Sequence, residues 1–106
     1  MAFGKYRLSK KAVIDLNGIA GYLSERNAEA AKRVVGRLYD AFQDAANNPD
    51  IGTNRDDLRP GLRILSPPRP AHNYIILFYK ADRGVEITGV LHGAQDWQGL
   101  IADDQR

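Results

Sequence analysis

At 106 residues the chain has room for one domain, and its 43% hydrophobic content suits a folded protein rather than a disordered one. No apolar run approaches the ~20 residues of a membrane span, and the absence of cysteine excludes disulfides, thiolate catalysis and cysteine-based zinc sites. The formal charge of +2 says little by itself, but Lys5, Arg7, Lys10 and Lys11 crowd the start, while Arg55, Arg59, Arg63 and Arg69 punctuate the middle. Such an arginine cluster suits nucleic acid, an acidic protein partner, or a solvated face. The opening MAFGKYRLSKK has neither an apolar stretch nor a small-residue cleavage site, so it is not read as a signal peptide, and a reducing cytoplasm is the expected location.

Tyr6, Arg7 and Leu8 make a short strand, after which Ser9 stands where a helix N-cap belongs. Ala12, Leu16, Ile19, Ala20 and Leu23 follow at helical spacing and form one apolar stripe. Gly18 and Gly21 weaken this helix and suggest a close contact with another helix. The pattern breaks over residues 24–27, where Asn27 is placed to cap a second helix with the stripe Ala31, Val34, Val35, Leu38, Phe42 and Ala45. Asn47, Asn48 and Pro49 end it. Two amphipathic helices with so short a link form an antiparallel hairpin.

Residues 50–61 read as a loop anchored by Leu58, followed by a short strand over 62–65. The three prolines within 66–70 make a rigid connection. Residues 73–79, NYIILFY, are apolar on both alternating faces, so both sides of that strand are covered, or one is covered and the other binds. Ala81, Asp82, Arg83 and Gly84 form a hairpin turn into a last strand over 85–92, where Gly89 marks a bulge. The expected fold is α+β, in the order β-α-α-β-β-β: a small, mostly antiparallel sheet with the helical hairpin on one face. The domain is expected to occupy residues 1–97, with 98–106 a frayed polar tail.

Four ordered segments, YRLSKKAVIDLNGIAGYL (6–23), LRPGLRIL (58–65), YIILFYKADRGVEI (74–87) and VLHGAQDW (90–97), resemble the ParE/RelE toxin superfamily, its ParE branch more than its RelE branch. Together they span almost the whole chain. Two positions depart from the family pattern: Gly89 and Gln95 stand where many relatives carry arginine. The resemblance implies the toxin of a type II toxin–antitoxin system, neutralised by a ParD-like antitoxin. The antitoxin's C-terminal segment would wrap the toxin, laying a helix and a strand on it. It further implies a hetero-oligomer with at least two toxins per complex and operator DNA contacted only through the antitoxin. Arg59, Arg63, Arg69, Tyr74 and Tyr79 are the candidate antitoxin-binding residues.

Relatives of the ParE type are understood to poison DNA gyrase by binding, which needs a shaped surface rather than an active site. His92, Gly93, Gln95, Asp96 and Trp97 are the candidate target contacts. Trp97 either anchors an interface or packs over the open end of the core. Relatives of the RelE type are ribosome-dependent mRNA endoribonucleases, the alternative reading. That chemistry needs a base, an acid and cations around the phosphorane. Arg63, Arg69, Tyr79 and His92 form an incomplete set for it. His92 either acts as a base oriented by Asp96 or caps the strand and bonds backbone. The residues show no metal-ligand spacing and no phosphate loop, so neither catalytic residues, cofactor nor metal is expected.

Overall fold

A computed structural model describes residues 4–104. The elements run β1 (Lys5–Leu8), α1 (Lys10–Arg26), α2 (Ala28–Asn47), β2 (Thr53–Asn54), β3 (Arg63–Leu65), β4 (Tyr74–Ala81), β5 (Gly84–His92) and α3 (Trp97–Asp104). The α+β fold has the expected order with two additions. A two-residue β2 lies within the expected loop, and α3 replaces the expected frayed tail, of which residues 105 and 106 lie outside the described part. The sheet order is β1-β5-β4-β3-β2, with β1 parallel to β5 and every other pair antiparallel.

Side chains fix the helix ends. Ser9 Oγ accepts from the amide of Ala12 at 3.1 Å, satisfying one of the orphan donors of α1. α1 then runs through Ser24 and Glu25 to Arg26, less than one turn of polar residues on an exposed surface that tolerates them, rather than breaking at Ser24. A single residue makes the corner. Asn27, extended at φ −163° and ψ 103°, gives its amide to the Leu23 carbonyl at 2.8 Å and takes the Ala30 amide on Oδ1 at 3.1 Å. Residues equally spaced about this corner, Ser24 with Ala31 and Ala20 with Val35, line one shared crevice, as a helical hairpin requires. The glycines of α1 do not serve that contact. A carbon added at Gly18 or Gly21 would meet nothing within 4 Å among the described residues.

The hairpin covers one face of the sheet. Ala12 and Leu16 of α1 and Val34, Leu38, Phe42 and Ala45 of α2 pack with Ile76 and Phe78 of β4 and Val85, Ile87 and Val90 of β5. Burial of Phe42 or Phe78, each fully covered, contributes about 1.5–3 kcal/mol per side chain. A bulge keeps β5 in phase with this core. Leu77 opposes Gly89 but Phe78 opposes Ile87, leaving Thr88 as the extra residue. Without it, Val90 would fall on the opposite face from Val85 and Ile87. At the start of β5, Gly84 lies so close to the Lys5 carbonyl that no side-chain carbon fits between the strands.

Candidate functional site

The second face of the sheet carries a smaller cluster. Leu62 and Leu77 are buried with Trp97 and Ile101 of α3, and Leu58, Ile64, Ile75, Tyr79 and Leu91 pack around them. The strand with two apolar faces is thus covered by the hairpin on one side and partly by α3 on the other. Arg55 and Arg59 hold α3 in place. Arg55 makes a bidentate pair with Asp57 at 2.9 Å, reaches Gln98 Oε1 at 3.2 Å and stands 5.4 Å from the Trp97 ring centre. Beside Arg55, the Asp57 carboxyl is held below its usual range. Arg59 donates to the Ile101 carbonyl at 3.4 Å. Next to α3 a pocket of about 220 Å³ remains open, walled by Leu62, Leu77, Leu91, Leu100 and Tyr79 and bordered by Lys11 and Arg59.

The turn between β5 and α3 holds the expected target contacts. Its geometry separates His92 from Asp96. His92 Nδ1 accepts from the Ala94 amide at 3.0 Å, which leaves the proton of the neutral ring on Nε2. Asp96 Oδ1 accepts from the Gly99 amide at 3.1 Å, at the start of α3. Gln95 folds back to accept the His92 amide at 3.2 Å, and Gly93 donates to the Asn73 carbonyl at 2.7 Å. Both side chains of the conceivable dyad therefore serve backbone. Of the two readings of Trp97, packing is the one realised: it is 8% exposed, which removes it as an exposed anchor. His92, Gly93, Gln95 and Asp96 are exposed.

The expected antitoxin contacts are dispersed. Arg63 donates to the carbonyls of Asp50, Ile51 and Gly52 and so clamps the chain before β2. Lys80 pairs with Asp50 in the same region. Arg69 is exposed in the proline-rich connection. Tyr79 is half-buried beside the second-face pocket with Arg59. Tyr74 lies in the main core with its ring edge-on to His92 at 5.4 Å. Burial, with Tyr22 adding to it, pushes its phenol above the ordinary value, so it stays protonated at neutral pH. Tyr74, His92 and Gln95 do share one feature, a groove of about 670 Å³ between α1 and the end of β5.

Against this geometry the comparisons with known proteins agree. The family described as "ParE toxin of type II toxin-antitoxin system, parDE" matches residues 6–97. The chain belongs to the ParE toxin family. Among its relatives, Toxin ParE1 of Caulobacter vibrioides is 34% identical over 88 residues, covering 82% of this chain and 86% of that protein. The protein Y4kP of Sinorhizobium fredii is 32% identical over 103 residues, covering 95% of this chain and all of that one. A solved structure described as the chromosomal ParDE TA system from P. aeruginosa shares the fold, with a TM-score of 0.69. At 19% identity it covers 85% of this chain and 96% of its own.

Within this ParE-family fold, sequence reasoning missed three contributors to the concave surfaces. Ile14 and Tyr22, 64% and 56% exposed, project from α1 along the groove, with Gly18 open between them. They lie off the apolar stripe, and their exposure was the available signal: large apolar residues on the polar face of a helix. Lys11 was counted only as part of the N-terminal basic cluster, yet it reaches the far face of the sheet at Gly89. No helix of the described residues is long and apolar enough to cross a membrane. Among those residues no group of three or more His, Asp or Glu could hold a metal ion.

Proposed function

We propose that this ParE-family toxin acts by binding: a ParD-like antitoxin neutralises it, and DNA gyrase is its target. The observation that carries the reading is the engagement of three of the four residues a nuclease would use, Arg63, Tyr79 and His92, while Arg69 is exposed. His92 and Asp96 each hold a backbone amide, Arg63 is spent on three carbonyls of its own chain, and Tyr79 packs in the second cluster. What the molecule offers outward is shape. The groove along Ile14, Gly18 and Tyr22 suits an amphipathic antitoxin helix, because Gly18 lets a second backbone approach closely and the flanking side chains supply apolar walls. The exposed turn of Gly93, Gln95 and Asp96 is the proposed gyrase contact.

The test uses the purified chain with gyrase. Supercoiling is expected to stop and cleaved DNA to accumulate, with both effects reversed by the antitoxin. Gyrase that works normally under excess toxin, with messenger RNA cut in a translating extract instead, would transfer the protein to the ribonuclease reading.

A further inference from the structure

Building on the proposal that an antitoxin wraps this chain, we propose a second docking point on the far face of the sheet. There the pocket beside α3 receives an apolar side chain of the partner, and Lys11 holds a carboxylate adjacent to it. The pocket is a cleft with mainly aliphatic walls, Leu62, Leu77, Leu91 and Leu100, a single aromatic ring, Tyr79, and two cationic side chains on its border. Such a lining matches a peptide carrying an apolar anchor next to Asp or Glu. It suits nucleic acid poorly, since single strands are held by aromatic stacking platforms along a charged track.

The position of Lys11 rests on Gly89. A carbon added at Gly89 would sit 3.1 Å from Leu77 Cδ1, 3.4 Å from Asp15 Oδ2 and 3.7 Å from Lys11 Nζ. A long side chain there would take the space the ammonium uses. With glycine in place, Lys11 crosses the edge of β5 and pairs with Asp15 at 2.7 Å. Asp15 is itself anchored by the Val90 amide at 3.0 Å. The ammonium has three donors and Asp15 takes one. Lys11 remains 54% exposed, so donors are left for an incoming carboxylate. Gly89 thus leaves the space beside Leu77 to a cation supplied from α1.

Trp97, the only tryptophan, packs in the same cluster and reports on the pocket by its fluorescence. The probes are a short capped peptide alternating leucine with glutamate, its counterpart with lysine for glutamate, and an oligouridylate. The glutamate peptide is expected to shift Trp97 emission saturably and to bind at least about tenfold more tightly than the lysine peptide. Lys11→Glu and the surface change Leu100→Asp should each weaken it by about tenfold or more, while Lys11→Arg keeps it. Circular dichroism verifies that each variant is folded. Equal binding of both peptides, indifference to both variants, or tighter binding of the oligouridylate overturns the assignment. Titration of the ParD-like antitoxin separates the two proposals. Unchanged affinity for Lys11→Glu, beside a wild-type complex, removes the pocket and leaves the antitoxin reading intact. Failure of the wild type to bind removes the antitoxin reading, while the peptides still decide what the pocket takes.

Discussion

The two faces of the sheet are built to different standards. On the first, α1 and α2 bury Leu38, Phe42, Ile76, Phe78 and Ile87 completely, and the cluster extends from β1 to β5. On the second, four buried side chains hold down a helix of eight residues, and a pocket stays open beside them. One strand serves both, with Ile76 and Phe78 facing the hairpin and Leu77 facing α3. The contrast teaches a division of labour. The first face holds the fold, which frees the second to keep apolar surface and a half-exposed cation, Lys11, within reach of a partner.

Substitutions measure that contrast directly. Phe78→Ala opens a cavity in the closed core and is expected to cost about 3–5 kcal/mol in urea unfolding. Ile101→Ala on the second face should cost about 2 kcal/mol, the low end for such a truncation, because α3 can yield locally. Equal losses would break the comparison. Asn27→Ala removes the cap at the corner of the hairpin and should cost about 1 kcal/mol, with the Trp97 environment unaltered. The smallest effect concerns acid. The hydrogen bond from Arg55 holds Asp57 below the ordinary carboxylate range, so its contribution is present above that range and lost as pH falls through the lowered folded value. Trp97 emission is expected to be flat from neutral pH down to the carboxylate range and to change below it. A change completed well above the carboxylate range would overturn this assignment.

Much of the first face was legible in the sequence because its determinants are local. Ser9 and Asn27 cap through their own side chains, and the stripe from Ala31 to Ala45 repeats at helical spacing whatever it packs on. The apolar residues 73–79 announced two covered faces, although not what would cover the second. α3 was hidden because Gly99 and the acidic residues beyond it weaken a short helix whose stability comes from Trp97 and Ile101 meeting Leu62 and Leu77, contacts distant in sequence. The continuation of α1 past Ser24 was missed for a related reason, since hydrophobic periodicity is silent about an exposed last turn. The candidate site was legible only in part. Gly89 was recognised as a departure, but its partner Lys11 lies 78 positions earlier in the chain (89 − 11), a relation that no local pattern encodes.

The pairing of Lys5 with Gly84 also bears on timing. These residues are 79 positions apart (84 − 5), and no earlier segment completes the sheet edge on which β1 lies. While the chain is being synthesised, the helical hairpin can form from neighbouring residues, but β1 has nowhere to dock until β5 has left the ribosome. Closure of so long a loop is slow relative to helix formation. A nascent chain halted before Gly84 therefore carries an unpaired edge and an uncovered core, so the folded domain arrives only after β5 has been made.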